Sequence, residues 1–210
     1  MTHGSPLRQN GSRHRHEVAL TFDDGPAPDT PAFLGVLERE HVPATFFEVG
    51  QQVSGRGALL KRILGDGDVV GNHSLTHPDL VRAGPARAAF ELARASAIIH
   101  ANASYRPCLF RAPYGSLDRS LVARAQADGM ATIEWDVDPR DWSRPGTAAI
   151  ESRVLSGVRN GSIVLMHDGG GPRGETLAAL PHIVAALRHR GYRLVTVLDL
   201  LGFHSVSPAG

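Results

Sequence analysis

Asp23 and Asp24 stand side by side in the stretch TFDDGP, directly behind the apolar run EVALTF. Adjacent carboxylates repel, so the pair either opens a turn before Gly25-Pro26 or meets a cation. Further along, GNHSLTHPDL carries His73 and His77, whose spacing of four puts two imidazoles on one face of a helical turn. A zinc-protease HExxH pattern requires Glu after the first His, and Ser74 stands there instead. The base of a hydrolytic metal site would therefore come from elsewhere. TFDDGP offers two acids, one to complete a two-His, one-carboxylate set and one to act as base. Three protein ligands would leave coordination positions for water and substrate.

The elements that must position these groups follow from the hydrophobic pattern. Short apolar runs at 17–22, 44–49, 68–72, 108–111, 131–137, 162–167 and 192–197 read as strands. Helix-period segments lie between them, at 31–40, 58–66, 85–103, 120–129, 147–158 and 175–191, the last closed by Gly191 as a C-terminal cap. Strand and helix in alternation predict an α/β fold with a parallel sheet, and about seven strands predict a distorted (β/α) barrel short of its eighth. Asp23-Asp24, His73, Arg111, Asp138 and His167 each fall at or just past the C-terminal end of a predicted strand. That end is the catalytic face of a β/α barrel.

Composition narrows the partners. The 210 residues carry 22 Lys+Arg against 21 Asp+Glu, a net charge of +1 with no basic run, which argues against nucleic acid. No stretch approaches the roughly 20 apolar residues of a membrane span, and oligomeric state is open. A single cysteine, Cys108, permits no internal disulfide and reads as a small apolar residue packed in a strand. The polar segment 1–16 is expected to be a flexible arm preceding one domain over 17–205. HDGGGPRG at 167–174 lacks the ending of a phosphate loop and reads as a mobile loop beside the site. His41, His100, His182, His189 and His204 have no ligand spacing with the main set. Glu48, an acid inside the run ATFFEVG, has no account at this level.

Five segments in order, TFDDGP, HSLTH, RAPYG (111–115), DPRDW (138–142) and LMH (165–167), resemble the polysaccharide deacetylase family, the NodB homology domain of carbohydrate esterase family 4. The resemblance implies that Asp24, His73 and His77 bind a divalent metal, usually zinc with cobalt or another ion as alternatives. It implies Asp23 as general base held by Arg111, and His167 as general acid hydrogen-bonded by Asp138. It further implies the backbone N–H of Tyr114 as an oxyanion donor, and Trp142 and Leu165 as the lining of an acetyl pocket. Asp141 lies in the same motif and receives no role. The resemblance makes the expected partner an acetylated glycan and the expected reaction N-deacetylation of chitin- or peptidoglycan-type chains, in an extracellular or cell-wall setting. O-acetyl ester cleavage on xylan, or glycan binding without catalysis, are the alternatives.

Overall fold

A computed structural model describes residues 6–203. Its strands are β1 (Leu7–Arg8), β2 (Glu17–Gly25), β3 (Thr45–Glu48), β4 (Val69–Asn72), β5 (Leu109–Phe110), β6 (Ala131–Ile133), β7 (Ser162–His167) and β8 (Arg193–Leu194). The helices are α1 (Thr30–Glu40), α2 (Gly50–Val53), α3 (Gly57–Gly65), α4 (Leu80–Ala83), α5 (Pro85–Ala103), α6 (Arg119–Ala127), α7 (Thr147–Gly157), α8 (Gly174–His189) and α9 (Val197–Leu201). The strands pair in parallel in the order β1-β6-β5-β4-β3-β2-β7, with β8 joined to the N-terminal end of β2.

The period-2 pattern of β2 feeds two cores, as a strand buried on both faces requires. Val18, Leu20 and Phe22 face outward into a layer shared with Phe33 and Leu37 of α1, Phe46, Met166 and Leu180 of α8. Phe22 stacks on Phe46 at 5.1 Å and meets Phe33 edge-on at 5.3 Å. Truncating it to alanine would cost about 3–5 kcal/mol. Ala19 faces the other way, into a cluster with Phe47, Leu109, Ile133, Ile163 and two residues of α9, Val197 and Leu200. The predicted strand over 192–197 stops early for this reason. Thr196 accepts from the Asp199 N–H and starts α9, and that cap overrides the β-branched run.

Residues 6–16, expected to be a flexible arm, are instead part of the barrel. β1 pairs with β6, where the Thr132 N–H donates to Pro6 O at 2.8 Å and the Glu134 N–H to Arg8 O at 2.7 Å. Two residues on, Asn10 bridges Ser162 at the start of β7, and Arg13 donates to Asp136 at 2.8 Å. No continuous ladder joins β6 to β7. The N-terminal segment and the Val137–Val164 bridge span that seam. Residues 1–5 of the expected arm, residues 204–205 of the expected domain and His204 lie outside the described residues. Cys108 is exposed just before β5, not packed in a strand.

Candidate metal and catalytic centre

All three expected metal ligands meet. One ligand atom each from Asp24, His73 and His77 lies within 4.8 Å of the others. Asp24 Oδ1 stands 3.2 Å from His77 Nε2 and 3.6 Å from His73 Nε2. His73 Nδ1 lies 2.8 Å from the Arg111 carbonyl, which only an Nδ1–H can satisfy, so Nε2 presents its lone pair to Asp24 and His77. Burial pushes the His73 pKa down to about 3, against the pull of Asp24, and leaves the imidazole neutral, as a metal ligand must be. These donors fit a divalent ion of the zinc or cobalt kind.

The histidines do not ride on a helical turn. They lie in the loop after β4, where Ser74 and His77 both have positive φ, 67° and 59°. A carboxylate on α5 shapes that loop. Glu91, fully buried, accepts from the Leu75 and Thr76 N–H groups and the Thr76 hydroxyl, each at 2.8 Å. The sequence signal for Glu91 is an acid on the same helix face as Ala88, Leu92, Ala95 and Ile99, all buried.

Asp23 is almost fully buried and accepts from Arg111 Nη1 at 2.7 Å. Arg111 is wholly buried as well. It also donates to Thr21 Oγ1 at 2.7 Å and to the carbonyls of Ile133 and Glu134, and it lies over the Phe47 ring at 4.1 Å. Removing either partner would strand the other charge, at about 3–5 kcal/mol. Burial raises the Asp23 pKa from its usual value, outweighing Arg111 and His167, which lower it.

His167 is the register partner of Asp23 across the β2–β7 ladder. Its expected orienting group was Asp138, and here the structure overturns the expectation. Asp141 Oδ1 lies 2.7 Å from His167 Nδ1, and Asp141 Oδ2 accepts from the His167 N–H at 2.9 Å and from Thr176 Oγ1 at 2.9 Å. Asp138, exposed, spends its carboxylate on the Arg140 N–H two residues on. DPRDW thus turns through a 3-10 helix that buries its second acid and leaves the first at the surface.

Around this centre, Tyr114 (φ 62°) and Trp142 are exposed, the Tyr114 ring edge-on to His77 at 4.6 Å, while Leu165 is buried in β7. The segment 167–174, expected to be mobile, is pinned. The Asp168 and Gly169 N–H groups donate to Asp23 O, and Arg173, itself buried, holds the carbonyls of Gly169 and Gly170. A Cβ on Gly169 would come 2.1 Å from Asp24 O, and one on Gly170 2.3 Å from Asp24 Oδ2, so only glycines let this loop close over the ligand. Glu48 is fully buried behind Gly25, opposite Asp168. Burial and nearby carboxylates hold Glu48 well above the usual range, and burial pushes Asp168 up to about 7.

Residues 10–133 match the family model for polysaccharide deacetylase. The chain is 43% identical over 190 residues to a chitooligosaccharide deacetylase of Bradyrhizobium sp. (strain ANU 289), covering 84% of this chain and 87% of the relative. It is 36% identical to a peptidoglycan-N-acetylglucosamine deacetylase of Bacillus cereus, over 89% of this chain and 88% of the relative. Among solved structures, the Bc1960 peptidoglycan N-acetylglucosamine deacetylase superposes with a TM-score of 0.91 at 31% identity, over 94% of this chain and 93% of that one. With five motifs in one barrel mouth, and with relatives alike over most of their length, the chain belongs to the polysaccharide deacetylase family.

Proposed function

We propose that the protein is a metal-dependent deacetylase removing N-acetyl groups from N-acetylglucosamine-containing chains of the chitooligosaccharide or peptidoglycan type. One observation carries the reading. Asp23 and His167 stand side by side as register partners on adjacent parallel strands, beside the donor set Asp24, His73 and His77. A base and an acid flanking such a set are what amide hydrolysis needs and what glycan binding alone does not. Relatives named for both substrates support the substrate class.

A divalent ion held by Asp24, His73 and His77 would supply Lewis-acid polarisation of the acetyl carbonyl and a more acidic water. Asp23 takes the proton of the attacking water. Its raised pKa makes it a stronger base than an ordinary carboxylate, and Arg111 fixes its orientation. The Tyr114 N–H is the backbone donor for the oxygen that gains negative charge. The amine leaves only when protonated, and His167, with Nδ1 tied to Asp141, has Nε2 to deliver that proton. Trp142 and Leu165 flank the acetyl group.

The test is acetate release from N-acetylchitooligosaccharides, peptidoglycan and acetylated xylan. The protein is stripped with chelator and titrated with zinc or cobalt, beside Asp23→Asn. Metal-restored release from the first two substrates, reduced by about 10²-fold or more in the variant, is the expected result. Release from xylan alone would replace the reading with an esterase. No release from any substrate, with glycan binding retained in the stripped protein, would replace it with a binding protein.

A further inference from the structure

Glu48, at the end of β3, and Asp168, just past β7, flank Gly25 of β2 from opposite sides. Asp168 Oδ2, Glu48 Oε2 and Asp168 Oδ1 lie 2.7, 2.7 and 2.8 Å from the point where a side chain on Gly25 would begin. Three oxygens from two carboxylates thus converge over a residue that has no side chain of its own. Both residues are fully buried. Among the described residues neither Glu48 oxygen has a hydrogen-bond partner, nor has Asp168 Oδ1, while Asp168 Oδ2 accepts from the Thr30 hydroxyl at the start of α1. No Lys, Arg or His forms a salt bridge with either acid among the described residues. The nearby carboxylates of Asp23 and Asp24 add negative charge, and Arg111 is committed to Asp23. Two carboxylates this close together in a dry interior cannot both stay ionised without a cation or a proton between them.

We infer that Glu48 and Asp168 form a second cation site, distinct from the Asp24–His73–His77 set and selective for a hard, oxygen-seeking ion. Its side-chain donors are oxygens only, which turns zinc and cobalt toward the histidines and admits sodium, magnesium or calcium here. Calcium fits best, because it accepts irregular geometry and two-oxygen carboxylate contacts, whereas magnesium demands a near-octahedral shell. The ion would tie β3, β7 and the start of α1 together behind Asp24. Its role is structural, so the inference stands whether or not the catalytic reading does.

Metal analysis of the full-length protein tests it. The protein is loaded with zinc, equilibrated separately with calcium, magnesium or sodium chloride, and desalted. The expected result is zinc plus one hard cation per chain. Calcium at roughly a hundredfold excess over Kd should also raise Tm by about 5 °C, and Glu48→Gln should lose the hard cation while keeping zinc. Zinc alone in every arm would overturn the inference. So would a protonated-carboxyl infrared band in the wild type that Glu48→Gln removes, since a proton would then fill the role. Calcium retained by Glu48→Gln would place it elsewhere and overturn the site too. Should the variant fail to fold, the wild-type stoichiometry and infrared spectrum decide alone.

Discussion

His167 holds its proton under opposed influences. Burial disfavours the imidazolium, but the Asp141 hydrogen bond and charge, with Asp23 and Asp24 behind it, outweigh burial and raise the pKa above its usual 6.5. A general acid works while protonated, so the raised pKa carries activity to higher pH. In Asp141→Asn that support is lost. The alkaline limb of the pH–rate profile should move to lower pH, and kcat should fall by roughly 10- to 100-fold. Asp138→Asn should leave the limb in place, because the Asp138 carboxylate accepts from the Arg140 N–H and His167 is held by Asp141 instead. Profiles of both variants on one substrate check this. Stability follows the same sign: protonated His167 stabilises the fold below its unfolded pKa, and that contribution is lost as pH rises through the folded value. That Asp24, His73 and His77 converge, with Asp23 and His167 at neighbouring strand ends, was expected from residue type, spacing and the resemblance of the motifs. Asp138 and Asp141 are three apart in one motif, and which of them turns inward depends on a 3-10 turn between left-handed Arg140 and Arg144 that spacing does not encode.

Long periodic elements were the most legible. The 85–103 helix matches its expected bounds residue for residue, because 19 residues of apolar period leave little ambiguity. The HSLTH segment misled by the same reasoning, since a spacing of four is equally served by a loop with two left-handed residues. Such conformations cost about 1–3 kcal/mol each outside glycine and persist only when their surroundings hold them. Glu91 is that support. Glu91→Ala should free the three loop donors and the Arg87 guanidinium paired with Glu91 at 2.6 Å, and weaken zinc binding by roughly 10- to 100-fold, measured by competition with a chromogenic chelator. At the other end of the sheet, Asp68 enters β4 buried, and its single backbone donor, the Ala44 N–H at 2.7 Å, does not compensate. Burial pushes its pKa from 3.8 to about 7. A raised carboxyl favours the fold only while protonated, so stability should drop between about pH 4 and 7, by an amount on the order of a few kcal/mol. Thermal melts of Asp68→Asn should match the wild type near pH 4 and exceed it above pH 7.

For the molecule as a whole, strand and helix alternation was sufficient to foretell an incomplete parallel barrel with its site at the C-terminal strand ends. What closes it was not legible. Two residues of β1 and a single bridge carry no period, and a polar head reads as solvent-exposed until its backbone partners are known. Deleting residues 1–13 removes the bonds from Thr132, Glu134 and Gly11 and the Arg13–Asp136 pair. At about 1 kcal/mol per bond, Tm should fall by roughly 5–10 °C in a melt, with zinc stoichiometry unchanged.

The β2–β7 pairing also orders events in time. Synthesis runs from the N-terminus, so Asp24, His73 and His77 have all been made by residue 77, whereas His167 is added only when β7 emerges. A nascent chain arrested before β7 therefore carries every expected zinc donor and no His167 beside Asp23. On the proposed reading, each molecule holds its metal donors before it holds its acid.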